Sequence, residues 1–254
     1  LLAYENADMV TCLYDHARKL QIELGCPAEK IRVTPNGINV EALAGLPGKT
    51  EEEQQFINAG AVLRVTPIKD VKTMIQAFAF AKKRVKNMKL WIMGPADEDE
   101  KYAKECYDLV ESLGVKDVEF TGRVNVRDYL GKMDFTLLTS EGQPLTILES
   151  YAAHKPVITT DVGNCRELIY GNEDGFGDAG ILTHIMNIEE IAHAMVNMSI
   201  NEENRKRMGE AGYKRVNAFY RIDQMKDVYR EIYKGFSDSQ NLSWTEEPFK
   251  INGH

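Results

Sequence analysis

Between residues 56 and 159 the chain repeats one alternation: a short apolar run, a turn, then a stretch whose apolar residues recur at helical spacing. Residues 56–65 hold a strand and its end. Val71, Met74, Ile75, Phe78, Val85 and the aliphatic stem of Lys82 then share one helical face. Leu90-Trp91-Ile92-Met93 is a strand ending at Gly94-Pro95. Tyr102, Cys106, Leu109, Val110 and Leu113 form the next helical face, which Gly114 ends. A strand over 118–121, a helix over 126–133 behind an N-cap at Asn125, and apolar strands over 135–138 and 156–159 complete the pattern. Strands that are apolar without alternation, separated by helices, fit a parallel sheet covered on both faces. The fold class is therefore α/β, a doubly wound parallel sheet.

The flanks are less regular. Residues 9–13 and 31–33 read as short strands, with a helix over 15–24 that places Ala17, Leu20 and Leu24 on one face and stops at Gly25. Pro35-Asn36-Gly37 is a turn, and residues 43–54 are a surface connection. The last part of the chain reads as mostly helical. Asn187 caps a helix carrying Ile188, Ile191, Ala192, Met195 and Val196; a polar helix spans 202–212; a third spans 221–233 with the stripe Ile222, Met225, Tyr229, Ile232 and Tyr233. The segment after Gly235 is polar and reads as a tail or strap.

A formal net charge of -8 argues against nucleic acid or an anionic membrane as partner, and leaves room for a local phosphate pocket. No apolar run approaches the roughly 20 residues of a membrane span. The opening Leu1-Leu2-Ala3 does not read as a signal peptide, and its lack of an initiator Met reads as a fragment of something longer. Cys12, Cys26, Cys106 and Cys165 are scattered, as expected for reduced structural thiols of a cytosolic protein. The five histidines show no metal spacing.

In a doubly wound sheet, ligands sit beyond the carboxyl ends of the strands. Arg64-Val65-Thr66-Pro67-Ile68-Lys69 puts a rigid guanidinium fork and a mobile ammonium on one such loop, a pair suited to a diphosphate; two solvated surface bases are the plainer alternative. In Ser140-Glu141-Gly142-Gln143-Pro144-Leu145-Thr146-Ile147-Leu148-Glu149, Pro144 suits the first helical position. Leu145 and Thr146 then present backbone N–H groups to phosphate oxygens. Glu141 and Glu149 would repel an anion, and make sense as acceptors for sugar hydroxyls: Glu149 for a ribose, Glu141 for a hexose. The alternatives are a helix-start carboxylate for Glu141 and a solvated helical residue for Glu149.

Thr160-Asp161-Val162-Gly163-Asn164-Cys165-Arg166-Glu167 is a second polar loop, where Gly163 allows close backbone approach and Asp161 and Glu167 are weaker candidates that helix capping explains almost as well. Gly94 is a turn signal at a strand end. The run Asp97-Glu98-Asp99-Glu100 reads as the solvated first turn of a helix rather than a metal cluster. No GxGxxG stands in the chain, which counts against a dinucleotide cofactor, and no histidine has an evident nucleophile.

Residues 31–233 resemble the family 4 retaining glycosyltransferases, whose GT-B architecture faces two Rossmann-like domains across a cleft. The resemblance rests on Pro35-Asn36-Gly37-Ile38, on Arg64 and Lys69, and on the glutamates Glu141 and Glu149 with seven intervening residues. The wording from Ser140 to Pro144 looks most like a cytosolic subgroup associated with bacterial Pel exopolysaccharide. The resemblance implies that the chain is the C-terminal nucleotide-sugar half of a GT-B enzyme, transferring a hexosyl group from UDP-glucose. Arg64, Lys69 and Glu141 become the catalytic candidates. The nucleotide sugar is expected to meet Arg64, Lys69, Gly94, Glu141, Pro144, Leu145, Thr146, Glu149 and Gly163. Gln143-Pro144 departs from the Phe-Gly of many members, and Asn164 from a second Gly. Also implied are a division into 1–34 (the end of an acceptor domain), 35–215 (nucleotide-sugar binding), 216–236 (a crossover helix) and 237–254 (a polar tail), with no cofactor or metal required. Expected partners are a saccharide acceptor, through an N-terminal domain, and an exopolysaccharide synthase complex at the inner membrane, the protein itself being cytoplasmic. An isolated fragment is expected to turn over weakly or not at all. A nucleotide-sugar epimerase, a sugar phosphorylase or a non-catalytic assembly module on the same scaffold stay open.

Overall fold

The computed structural model describes residues 2–140 and 145–237. Their contacts divide into two compact units. One comprises the described residues up to Val40 and those from Val216 onward; the other is Glu41–Arg215.

The first unit opens with α1 (Leu2–Asn6), β1 (Val10–Cys12), α2 (Asp15–Glu23) and β2 (Ile31–Val33). The two strands pair in parallel, Val10 opposite Ile31 and Cys12 opposite Val33, and Cys12, Cys26 and Ile31 form a small core. The expected apolar face of α2 is not buried: Leu20 and Leu24 are exposed, and only Ala17 packs against that core.

The larger unit holds β3 (Ile57–Val62), α3 (Val71–Arg84), β4 (Met88–Met93), α4 (Glu100–Ser112), β5 (Val118–Gly122), α5 (Arg127–Leu130), β6 (Phe135–Leu138), α6 (Thr146–Ala152), β7 (Val157–Thr160), α7 (Cys165–Tyr170), β8 (Gly180–Thr183) and α8 (Ile188–Ile200). α9 (Glu202–Phe219) begins there, and α10 (Ile222–Ser237) belongs to the first unit. The strands form one parallel sheet in the order β5-β4-β3-β6-β7-β8. Every residue of β6 and β7 is buried, the threonines Thr136, Thr159 and Thr160 included, as expected of interior strands covered on both faces.

Alternate residues of these strands set the two layers. Ala59, Ala61, Leu90, Ile92, Phe135 and Leu137 face Met74, Ile75 and Phe78 of α3, Cys106 of α4 and Met195 of α8 in one core. On the other face Thr136 meets Ser150 of α6 through their hydroxyls at 2.8 Å, and the Tyr151 hydroxyl donates to the Leu168 carbonyl of α7 at 3.0 Å. The sheet is doubly wound, as its sequence pattern predicts. The four cysteines are buried free thiols. Among the described residues no helix is long and apolar enough to cross a membrane.

Several boundaries differ from expectation. The helix expected over 126–133 is confined to Arg127–Leu130. Its N-cap is Val126, while the Asn125 side chain accepts from the Arg127 N–H at 3.3 Å and closes a turn ahead of the helix. Three of the eight residues of the polar loop 160–167 belong to α7, β8 stands in a stretch where no strand was expected, and α9 runs seven residues past the expected end at 212. Residues 238–254, nearly all of the expected tail, lie outside the described residues.

Candidate functional site

Chain order runs outward from β3 through β4 to β5, then returns to the other side of β3 at β6. The connections after β3 and after β6 therefore leave the sheet in opposite directions. Their divergence opens a crevice at the carboxyl end, the place where a doubly wound sheet takes its ligand. Arg64 and Lys69 lie on the first of these loops. Leu145, Thr146 and Glu149 lie on and just after the second. Gly94 follows β4, and Gly163 follows β7 with a left-handed φ of 57°. Topology thus gathers every described candidate at one end of the sheet. Glu141 and Pro144 lie outside the described residues.

Buried hydroxyls lace these strand ends together. The Thr139 hydroxyl is positioned to donate to the Lys69 carbonyl at 3.0 Å and the Asp70 carbonyl at 2.9 Å. Ser140 reaches the Ile68 carbonyl at 3.3 Å, and Thr160 at the end of β7 donates to the Ser140 carbonyl at 2.6 Å. Asp70 itself is held in a left-handed conformation (φ 44°, ψ 51°). Its carboxylate caps α3 by accepting from the Thr73 N–H at 3.3 Å.

Gly94 has a structural duty here. Its φ is +148°, and a Cβ there would come within 1.9 Å of the Leu63 carbonyl oxygen. Only glycine lets the end of β4 pass this close to the backbone that leads into Arg64. The Val65 N–H then donates to the Pro95 carbonyl at 2.8 Å, fixing the start of the Arg64 loop.

The charged candidates divide by their partners. Arg64 is exposed and pairs with Glu98 at 2.8 Å. Asp161 pairs with Arg166, and Asp97 with Arg123 at 3.3 Å. Asp99 accepts from the Tyr102 N–H at 2.9 Å as the cap of α4, so the acidic run serves a helix start and two ion pairs. Among the described residues, no group of three or more His, Cys, Asp or Glu is placed to hold a metal ion.

Lys69 and Glu149 are different. Both are partly buried, and neither side chain has a hydrogen-bond or ion-pair partner among the described residues. Burial, and then the Arg64 guanidinium, push the Lys69 ammonium below the ordinary lysine range. Burial alone pushes the Glu149 carboxyl up. Three buried side-chain oxygens nearby in the chain are orphaned as well: Thr66 Oγ1, Asp70 Oδ2 and Thr146 Oγ1. An unpaired buried polar group costs on the order of 1–3 kcal/mol, and here several such groups lie close together at the switch point. The orphaned hydroxyls of Thr66 and Thr146 were not legible as such in the sequence, where threonines at a strand end and a helix start look ordinary. The apolar depression lined by Tyr107, Val110, Val115, Val118 and Phe120 lies where β5 begins, at the opposite end of the sheet from these groups.

Comparison with known proteins shows the family and the fold. The family described as Glycosyl transferases group 1 matches residues 53–201, and the chain belongs to that family. It is similar to the N-acetyl-alpha-D-glucosaminyl L-malate synthase of Bacillus anthracis, 28% identical over 241 residues, covering 90% of this chain and 60% of that protein. It is also similar to the amylovoran biosynthesis glycosyltransferase AmsK of Erwinia amylovora, 30% identical over 177 residues, covering 65% of this chain and 43% of that one. Among solved structures, Anabaena Alr3699/HepE in complex with UDP and glucose superposes with a TM-score of 0.76 at 20% identity, over 92% of this chain and 64% of that chain. Sucrose-phosphate synthase from Thermosynechococcus elongatus gives 0.78 at 18% identity, over 94% and 61%. The fold is the parallel-sheet, Rossmann-like α/β fold found in GT-B glycosyltransferases. The chain spans less than two thirds of the length of each of these proteins.

Proposed function

We propose that this member of the Glycosyl transferases group 1 family binds the nucleotide-sugar donor at the β3/β6 switch point and supplies the donor half of a retaining hexosyl transfer. The observation that carries the proposal is the pair of partly buried charges, Lys69 and Glu149, without partners among the described residues and flanked by hydroxyls equally unpartnered there. A nucleoside diphosphate sugar offers what each lacks: phosphate oxygens for Lys69, Thr66 and Thr146, and ribose hydroxyls for Glu149. Arg64 exchanges Glu98 for the diphosphate. As the glycosidic bond to the donor breaks, negative charge grows on the leaving diphosphate. Arg64, Lys69 and the backbone N–H groups near Leu145 then stabilise that charge as it forms. Glu141 orients the sugar being moved, and Gly163 and Gly94 let the backbone approach the donor.

UDP-glucose is the proposed donor. The Anabaena structure in complex with UDP and glucose supports that choice. The proposed acceptor is a growing exopolysaccharide held by an N-terminal domain, with residues 35–215 as the donor domain. The Ser140-Glu141-Gly142-Gln143-Pro144 wording, most like PelF, and the similarity to an amylovoran biosynthesis enzyme support an exopolysaccharide role. The protein would then work in the cytoplasm, reaching the membrane through a synthase complex.

Calorimetric titration with UDP tests the donor site. Arg64→Ala and Glu149→Ala are each expected to weaken binding about tenfold or more, the loss of one charge-assisted contact. Equal affinity in both variants and the wild type would remove the site assignment.

A further inference from the structure

We propose that Thr139 is a positioning residue that sets where Lys69 meets the donor phosphates. The inference rests on the reading of Lys69 as a donor-binding cation. Lys69 closes a 3-10 turn over Pro67–Lys69, and Asp70 follows in a left-handed conformation that residues other than glycine seldom adopt. Such a turn has no regular ladder to fix its direction. Two hydroxyls supply that fixture: the carbonyls of Ile68, Lys69 and Asp70, three in succession, all face Ser140 and Thr139 at the end of β6.

Thr139 contributes most. The residue is 1% exposed, and its hydroxyl meets two of the three carbonyls at 3.0 and 2.9 Å. β6 is an interior strand between β3 and β7, and Thr139 directly follows its last residue, Leu138. The Thr160 hydroxyl holds the next residue, Ser140, from β7. Lys69 thus takes its backbone position from the far side of the crevice, from the same strand that leads to Thr146 and Glu149. The hydroxyl sets the separation of the two walls between which the diphosphate and ribose would lie. Thr139 touches no part of the donor in this arrangement and acts through Lys69.

The test is a double-mutant cycle read by UDP calorimetry, with thermal unfolding of each variant alongside. Thr139→Val keeps the shape of the side chain and removes its donor. It is expected to weaken UDP binding roughly tenfold, whereas Thr139→Ser, which keeps the hydroxyl, binds within about threefold of wild type. In a Lys69→Met background, adding Thr139→Val is expected to change affinity by less than about twofold, because the group it positions is gone. A folded Thr139→Val that binds UDP as the wild type does overturns the proposal. So does an equal loss in the Lys69→Met background, which would make the hydroxyl a general structural tie. Should Thr139→Val fail to fold, Thr139→Cys, with its weak thiol donor, takes its place in the same cycle. If Lys69→Met alone leaves UDP affinity unchanged, the donor reading of Lys69 fails, and this inference with it.

Discussion

The Arg64 guanidinium lies 2.8 Å from the Glu98 carboxylate, across the loops that follow β3 and β4. The same guanidinium is the group we assign to the donor diphosphate, so the protein's own carboxylate occupies it until an anion arrives. The two side chains are 56% and 36% exposed, and such solvent-accessible pairs contribute only about 0–1 kcal/mol. Glu98→Gln is therefore expected to raise UDP affinity by roughly two- to fivefold and to leave the unfolding temperature nearly unchanged. Calorimetry in low and moderate salt checks this, and the gain is expected to shrink as salt rises.

A second ion pair has the opposite character. Arg215 and Asp174 are almost wholly buried, with side chains 1% and 4% exposed and contacts of 2.6 and 3.0 Å. Arg215 also donates to the carbonyls of Leu168, Ile169 and Gly177, fastening α7 and the loop after it to α9. Burial by itself would raise the Asp174 carboxyl, but Arg215 and the Phe176 N–H outweigh it and hold the group low. Its stabilising effect is present above the ordinary carboxylate range and is lost as pH falls through that depressed value. Arg215→Met leaves a buried carboxylate unpaired and is expected to cost about 3–5 kcal/mol in urea denaturation at neutral pH. Acidification should narrow the gap between variant and wild type.

Gly94→Ala places a methyl group where the Leu63 carbonyl already lies. The backbone leading into Arg64 must shift to admit it. We expect a loss of about 2 kcal/mol or more in stability, together with weaker UDP binding, measured by unfolding and calorimetry on one preparation.

Glu149 gives a prediction in pH. Its carboxyl is raised by burial, so ionising it opposes folding: the wild type has its full stability below the ordinary carboxylate range and loses part of it as pH rises through the raised value. Glu149→Gln removes that dependence. The variant is expected to match the wild type in acid and to exceed it near neutral pH by a few degrees in unfolding temperature, about 1 kcal/mol. Lys69→Met behaves as the mirror case, because the Lys69 ammonium is lowered by burial and by Arg64. Its advantage over the wild type is full at neutral pH and fades as pH climbs from the lowered lysine value toward the ordinary one.

How much of this was written in the sequence depends on the range over which each feature is decided. β6 and β7 were legible because an interior parallel strand buries both faces, so its residues are apolar or are threonines, without a charged residue among them. α3 was legible because one face carries Val71, Met74, Ile75 and Phe78. β8 was not: it has four residues, follows a glycine-rich loop and starts at Gly180, where a Cβ would meet the Val157 carbonyl at 1.9 Å. A strand fixed by its neighbour's backbone leaves little trace in its own residues. Lys69 and Glu149 stood out in the sequence by residue type and place. That they lack partners among the described residues, and that Arg64 has one 34 positions away, are facts of tertiary packing.

The central claim is that Lys69 and Glu149, partly buried and without partners among the described residues, are held so because the donor is their partner. Thermal unfolding of the wild type, Lys69→Met and Glu149→Gln, each with and without saturating UDP at neutral pH, tests it directly. Without UDP both variants should unfold at a higher temperature than the wild type. With UDP the order should reverse, since ligand at about 100 times its dissociation constant adds about 2.7 kcal/mol to a protein that binds it and less to one that binds it poorly. If UDP stabilises all three proteins equally, or the wild type not at all, the two charges are not donor contacts and the account is wrong.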